Sequence, residues 1–228
     1  MLTEISYILS EASPKWPTNP MERYEINNSI SAGDVCTTSS VYHHFHNGTH
    51  VDAPKHFSKN GRSVVDMPIE DFYYTSPLIL SISKRKGEVI SKEELQQHEK
   101  ELEKADILCL YTGYADFRDS KPVEYIDNFP CLSVEAARYL RTGFPQLKAI
   151  ALDVISVDSA TNGPPAGFPV HKMLLDEVAD GNFRTLLLYE DVNLKKLVEI
   201  KQPIQAICAF PIRWKDAEAA PVNMVAIS

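Results

Sequence analysis

Four residues in the stretch HFHNGTHVDAPKHF, positions 44–57, have the types and spacing of a metal centre. His46, His50 and Asp52 stand at i, i+4 and i+6, and His56 follows four residues after Asp52. Of the chain's 7 histidines, five lie between positions 43 and 56; only His98 and His171 lie elsewhere. Two imidazoles and a carboxylate converging on one point suit a divalent ion of the zinc or manganese type. On a helix only His46 and His50 would share a face, and Asn47-Gly48-Thr49 with Pro54 opposes a helix here. The spacing predicts a strand that delivers His46 at its end, then a turn at Gly48 that folds His50 and Asp52 back toward it. Pro54 stiffens the next segment, which makes His56 a candidate proton shuttle beside the ion. His43 and His44 point to opposite faces of an extended chain, and neither is assigned a role.

The elements that must position these residues are mixed. EISYIL alternates like a strand, and SPLILSIS, DILCLYTGY, KAIALDVISVD, TLLLYEDV, IQAICAFPIRW and PVNMVAIS each read as one. SKEELQQHEKELEKA reads as a helix opened by a capping box, Ser91 with Glu94. LSVEAARYLRTGFP reads as a helix with Ser133 as N-cap, closed by Gly143 and Pro145, and VHKMLLDEV as a short helix. Strands outnumber helices, and few helices sit between strands as regular crossovers. The expected fold class is α+β, a mixed and strand-rich sheet with few helices, in a single domain over 1–228.

Composition narrows the function. The net charge of -8, with no basic tract, argues against a nucleic-acid binder. No apolar run approaches a membrane span, and the first ten residues lack the basic region of a signal peptide. Cys36, Cys109, Cys131 and Cys208 sit singly, without metal or redox spacing. They read as buried, reduced thiols of a cytoplasmic protein. There is no G-x-S-x-G nucleophile elbow.

The run His46-Asn47-Gly48-Thr49-His50-Val51-Asp52-Ala53-Pro54-Lys55-His56 resembles the signature H-x-G-T-H-x-D-x-P-x-H of the metal-dependent cyclase family, which includes bacterial kynurenine formamidase and isatin hydrolase. KWPTNP, CLSVEAARYL, LDVISVD, FPVHKMLL and LYEDVNL follow in the family's order, so the resemblance covers most of the chain. It implies a swivelling β/β/α domain assembled as dimers or tetramers. It implies a first metal on His46, His50 and Asp52, and a second shared through Asp52 and completed by His171 and a glutamate. Glu190 matches that glutamate best, with Glu177 and Asp191 as alternatives. His56 would be the catalytic acid or base.

Such a site hydrolyses an amide-like C–N bond with water activated by one or two divalent ions. The small-molecule substrate expected first is an N-formyl arylamine such as N-formylkynurenine. A ring-opening hydrolase of a cyclic amide such as isatin, and a metal-binding protein without activity, are the alternatives. Trp16, in a proline-rich loop, is the candidate to line the substrate opening or a subunit contact. Tyr42 and Phe57 are candidates either for the pocket wall or for the core. Asp153, Ser156 and Asp158, at a strand end, are read as structural.

Overall fold

The computed structural model describes residues 1–177 and 183–228. Its centre is a six-stranded sheet in the order Ala219–Pro221, His50–Asp52, Leu187–Glu190, Ala149–Leu152, Ile107–Tyr111, Pro77–Ser81. The last four strands are parallel, and His50–Asp52 runs antiparallel to both of its neighbours. The parallel strands are near-continuous apolar runs, ILCLY and AIAL among them. A sheet covered on both faces has no solvent side to impose alternation.

Alternate side chains of that sheet enter two cores. Leu108, Leu110, Ile150, Leu152 and Leu188 pack with residues of the helices Val134–Gly143 and Pro169–Leu175. Ile107, Cys109, Ala149, Ala151 and Tyr189 pack against a second sheet, four strands in the order Leu2–Glu4, Val225–Ile227, Ala206–Cys208, Tyr73–Tyr74. The layers are sheet, sheet and helices, an α+β architecture. The parallel quartet is wound through helices more regularly than the balance of strands and helices in the sequence suggests.

Local signals explain most element ends. Ser91 and Glu94 form the expected reciprocal cap, and Ser133 Oγ accepts the Ala136 N–H. The single helix expected over 91–105 is instead two, Lys92–Gln96 and Glu99–Leu102. Between Leu95 and Leu102 no side chain is buried, so no packing contact holds the middle turn helical. The strand expected over EISYIL, residues 4–9, is found instead at Leu2–Glu4; the Ile5 N–H still reaches the Met224 carbonyl, but the Tyr7 N–H turns away to Thr49 Oγ1. The short helix expected over 170–178 is found at Pro169–Leu175; its expected last residue, Val178, lies outside the described residues.

Two expectations are corrected. Cys36 is exposed, unlike the buried Cys109 and Cys131, because it lies in the link of a hairpin that no core covers. That hairpin, Arg23–Asn28 with Thr38–Tyr42, is exposed at every residue. Tyr42, 47% exposed on it, is neither core nor pocket wall. Among the described residues no helix is long and apolar enough to cross a membrane.

Candidate metal centre

Strand register places the centre. His50 lies across from Glu190 on one side and Pro221 on the other, and Asp52 across from Leu188 and Ala219. Residues i and i+2 of a strand share a face, so His50, Asp52 and Glu190 project together while Val51 and Tyr189 enter the core behind. His46 arrives differently from expectation. The strand Thr38–Tyr42 ends before it, and a turn through residues 45–49 carries it in. Asn47 anchors that turn, donating to the Pro20 carbonyl and to Glu22 Oε1. Gly48 has φ +67, a backbone conformation that favours glycine.

The donor atoms converge on one carboxylate. Asp52 Oδ1 lies 2.9 Å from His46 Nδ1 and 3.3 Å from His50 Nε2. Asp52 Oδ2 lies 3.7 Å from His171 Nε2 and 3.9 Å from His56 Nε2. Glu190 Oε2 is 3.6 Å from His50 Nε2, and its Oε1 is 3.3 Å from His171 Nε2 while accepting the Val157 N–H. Close as these atoms are, both Asp52 oxygens and His50 Nε2 are buried without an aligned hydrogen bond. Buried polar atoms are normally satisfied, so a knot of unsatisfied acceptors and imidazole nitrogens fits a cation at its centre. Among the described residues, two triads have ligand atoms within 4.8 Å of one another: His46, Asp52 and His56, and His50, Asp52 and Glu190.

Two of the imidazoles are held in fixed orientations. His50 Nδ1 donates to the Gly48 carbonyl at 2.9 Å, which turns Nε2 toward the centre. His171 Nδ1 donates to Asp158 Oδ2 at 2.7 Å, and Asp158 also accepts the backbone N–H groups of Val170 and His171. Asp158 therefore does more than cap a loop: it aims His171, the carboxylate–imidazole pairing that raises a ligand's basicity. Asp153, by contrast, is structural as expected, accepting from Thr112, Gly113 and Ala115.

Electrostatics follow this crowding. Burial alone would depress the imidazolium of His46, yet Asp52 and Glu218 outweigh it and raise the pKa to about 10. Burial is likewise overcome at His171, where Glu190, Asp158 and Asp52 raise it to about 10. His56 goes the other way, to about 4, because burial is reinforced by the neighbouring imidazoles and Asp52 only partly offsets them. His56 is thus a neutral base at neutral pH. Asp52 pays a burial penalty, but His56 and His46 hold its carboxyl well below the usual range. Hydrogen bonding to His46 takes Glu218 down to about 2.

A cavity of about 390 Å³ opens onto the centre, lined by Trp16, Phe57, Phe168, His56, Ser156 and Glu218 among others. Trp16 and Phe57 both pack on Phe168, with ring centroids 5.9 and 5.7 Å away, and together they form an aromatic wall. Phe168 holds φ +55, a strained conformation for a bulky residue and one that clusters at functional sites. The alternative carboxylates are elsewhere. Glu177 pairs with Arg62 at 2.7 Å, and Asp191 pairs with Arg118 on the far side of the strand end. Sequence reasoning took Asp158 as structural and missed Phe168 and Glu218. Nothing local marked Asp158 or Glu218: Asp158 meets the helix of His171 from 13 residues away, and Glu218 reaches the cavity beside the strand Ala219–Pro221.

The fold and the donor cluster together define a member of a hydrolase-like class, and the chain belongs to the Cyclase family, whose model, described as "Putative cyclase", matches residues 3–159. His171 and Glu190 lie beyond that match. The chain is 27% identical to a kynurenine formamidase of Bacillus thuringiensis subsp. konkukian (strain 97-27), over 97% of this chain and 95% of that protein. Its fold is similar to an isatin hydrolase bound to the product analogue thioisatinate, with TM-score 0.82 and 15% identity over 100% of this chain and 92% of that one. Isatin hydrolase A from Ralstonia solanacearum matches with TM-score 0.79 and 16% identity, over 99% of this chain and 91% of that one.

Proposed function

We propose that the chain is a metal-dependent amidohydrolase that cleaves an amide-like C–N bond, with an N-formyl arylamine such as N-formylkynurenine as first substrate. The observation that carries this reading is the buried Asp52, both oxygens without a hydrogen bond and four imidazoles within 3.9 Å. His46, His50 and Asp52 would hold one ion, and Asp52, His171 and Glu190 a second; imidazole with carboxylate suits zinc or manganese. A divalent ion held there supplies Lewis acidity and brings the pKa of water down to roughly 7. His56, neutral and partly open to the cavity, accepts the proton of the attacking water and returns it to the departing amine nitrogen. Trp16, Phe57 and Phe168 hold the aryl group and keep bulk water from it. The full-length similarity to kynurenine formamidase supports the substrate class.

The same reading takes the protein as a cytoplasmic homo-oligomer, dimer or tetramer. Free cysteines support a reducing compartment. A two-stranded ribbon is marginal in water alone, and the hairpin exposes Tyr24, Ile26 and Val41, which supports a subunit contact there.

The test is elemental analysis of the purified protein, followed by ultraviolet assays with formylkynurenine, isatin and formanilides. At least one divalent ion per chain and formanilide turnover are expected. Glu190→Gln should halve a two-ion stoichiometry and cut turnover, while Glu177→Gln changes neither. A metal-free active enzyme, or damage from Glu177→Gln alone, overturns the assignment.

A further inference from the structure

Trp16 belongs to the aromatic wall, yet the segment that carries it has little to hold it. Residues 14–20 lie in no helix or strand, and Pro14, Pro17 and Pro20 have no backbone N–H to donate. Inside the segment the Asn19 N–H reaches the Trp16 carbonyl at 3.0 Å, and Lys15 Nζ reaches the Asn19 carbonyl at 2.6 Å. Among the described residues, the hydrogen bonds that tie this segment to the rest of the chain all end on one side chain. Asn47 Oδ1 accepts from Asn19 Nδ2 at 2.9 Å, and Asn47 Nδ2 donates to the Pro20 carbonyl at 3.0 Å. Its other N–H goes to Glu22 Oε1 at 2.7 Å, which fixes the way the amide faces. Asn47 is wholly buried, it follows His46 directly, and its own N–H closes the turn on the His44 carbonyl at 2.9 Å. One side chain thus joins the turn that brings His46 to the centre and the loop that brings Trp16 to the cavity.

We propose that Asn47 is a positioning residue for the substrate: by tethering residues 14–20 to the turn of His46, it sets Trp16 in register with the metal centre, so that the ring of an aryl amide is held where its C–N bond meets the ion. The inference rests on the amidohydrolase reading, and it concerns how the ring is held, not the chemistry of the imidazoles. Trp16 also packs on Phe168 and Phe129, with ring centroids 5.9 and 6.3 Å away. Apolar burial is non-directional and leaves the indole free to slide along those rings, whereas hydrogen bonds of defined length fix its place. Without the Asn47 amide, the Pro20 carbonyl and the Asn19 amide lose their partner, and a segment with no other hydrogen bond to the body loosens as a unit. An aryl substrate then loses the wall in the ground state and the transition state alike, which raises KM. A substrate without a ring has no contact there to lose.

Formanilide and N-(2,2,2-trifluoroethyl)formamide test this, since both release a weakly basic amine and only the first has a ring. In the metal-loaded protein Asn47→Ala should lower the preference for formanilide, as a ratio of kcat/KM values, by about 3–10-fold at unchanged metal content. Trp16→Ala should do the same, and the double variant should lose no more than either alone. A Trp214→Phe background leaves Trp16 as the one tryptophan. There Asn47→Ala should shift its emission to the red and make it easier to quench with acrylamide. If both formamides slow equally, if the metal is lost, or if the two penalties add, Asn47 serves the turn alone and the proposal is wrong. Should Asn47→Ala fail to fold, Asn19→Ala cuts one of the two links and leaves the turn's own anchors in place. Its loss of aryl preference must then vanish in the Trp16→Ala background, and a loss that persists there overturns the proposal. If neither formamide is hydrolysed, the amidohydrolase reading falls and the single-tryptophan protein decides. A red-shifted emission with weaker quenching by added aniline in Asn47→Ala upholds the tether, and unchanged emission and aniline affinity overturn it.

Discussion

Glu190 and Asp191 are adjacent, both are carboxylates and both are buried, yet their surroundings are opposite. Asp191 is fully satisfied. Arg118 grips it with Nε at 2.8 Å and Nη2 at 2.7 Å, the Tyr125 hydroxyl donates at 2.7 Å, and the guanidinium stacks 3.7 Å over the Tyr7 ring. Successive residues of an extended chain point to opposite sides, so Glu190, which ends its strand, faces away from this bidentate pair. Among the described residues Glu190 and Asp52 have no lysine or arginine partner: Glu190 meets imidazoles and the Val157 N–H, and Asp52 meets imidazoles with both oxygens unsatisfied. A buried carboxylate with its own cation is a structural part. A pair of them with nothing but neutral-capable donors is a binding site for a cation from outside.

Substitutions should separate the two sides. His50→Ala should empty the centre and abolish hydrolysis, read by mass-spectrometric metal content; an unchanged content would show that the ligands were misassigned. His56→Ala should keep the metal and the fold and lose about 10²–10⁴-fold in rate. A fully active variant, or one that loses its metal, would make His56 something other than the acid–base group. Asp191→Asn should leave the buried Arg118 with only the exposed Asp119 as charge partner, at a cost of about 3–5 kcal/mol in denaturant melts. Metal stoichiometry of the protein that remains folded should not change, and if it does, the two carboxylates are not separable. Asp158→Asn stands between these cases, because Asp158 is satisfied but touches a ligand: metal affinity should fall about 10–100-fold by competitive chelation, with little loss of stability.

The mildest test is pH. In the metal-free protein His46 and His171 carry pKa values raised to about 10 from 6.5. A raised folded-state pKa contributes stability that is complete below the unfolded value and is lost as pH climbs through the folded one. Metal-free protein should therefore lose thermal stability between about pH 6.5 and 10, and metal-loaded protein should not, because metal replaces those protons. Loading at pH 7.5 should release protons, measurable by calorimetry in buffers of different ionisation enthalpy. A pH-independent metal-free protein would place these imidazoles outside the cluster.

The histidine segment was legible because its residues lie within one short stretch, where turn chemistry at Gly48 and Pro54 limits what the chain can do. The choice among Glu177, Glu190 and Asp191 was not legible, since it depends on strand register and on Arg118, far away in sequence. Trp16 and Phe57 could be suggested as pocket residues by type, but Tyr42 looked equally suitable and went to an uncovered hairpin. The strand runs could be read from apolar patterning, whereas the second sheet, made of pieces from both ends of the chain, could not.

The strand His50–Asp52 has a consequence for how the molecule assembles. Its partners come from the last third of the sequence: Thr49 Oγ1 donates to the Asp191 carbonyl across 142 residues. Contacts of such separation form late, after loop-closure entropy has been overcome by nearer contacts. During synthesis the motif segment emerges before Leu187–Glu190 and Ala219–Pro221 and must wait for these partners. An ion held by all of these ligands would join a nearly native protein and would slow its unfolding more than it speeds its folding.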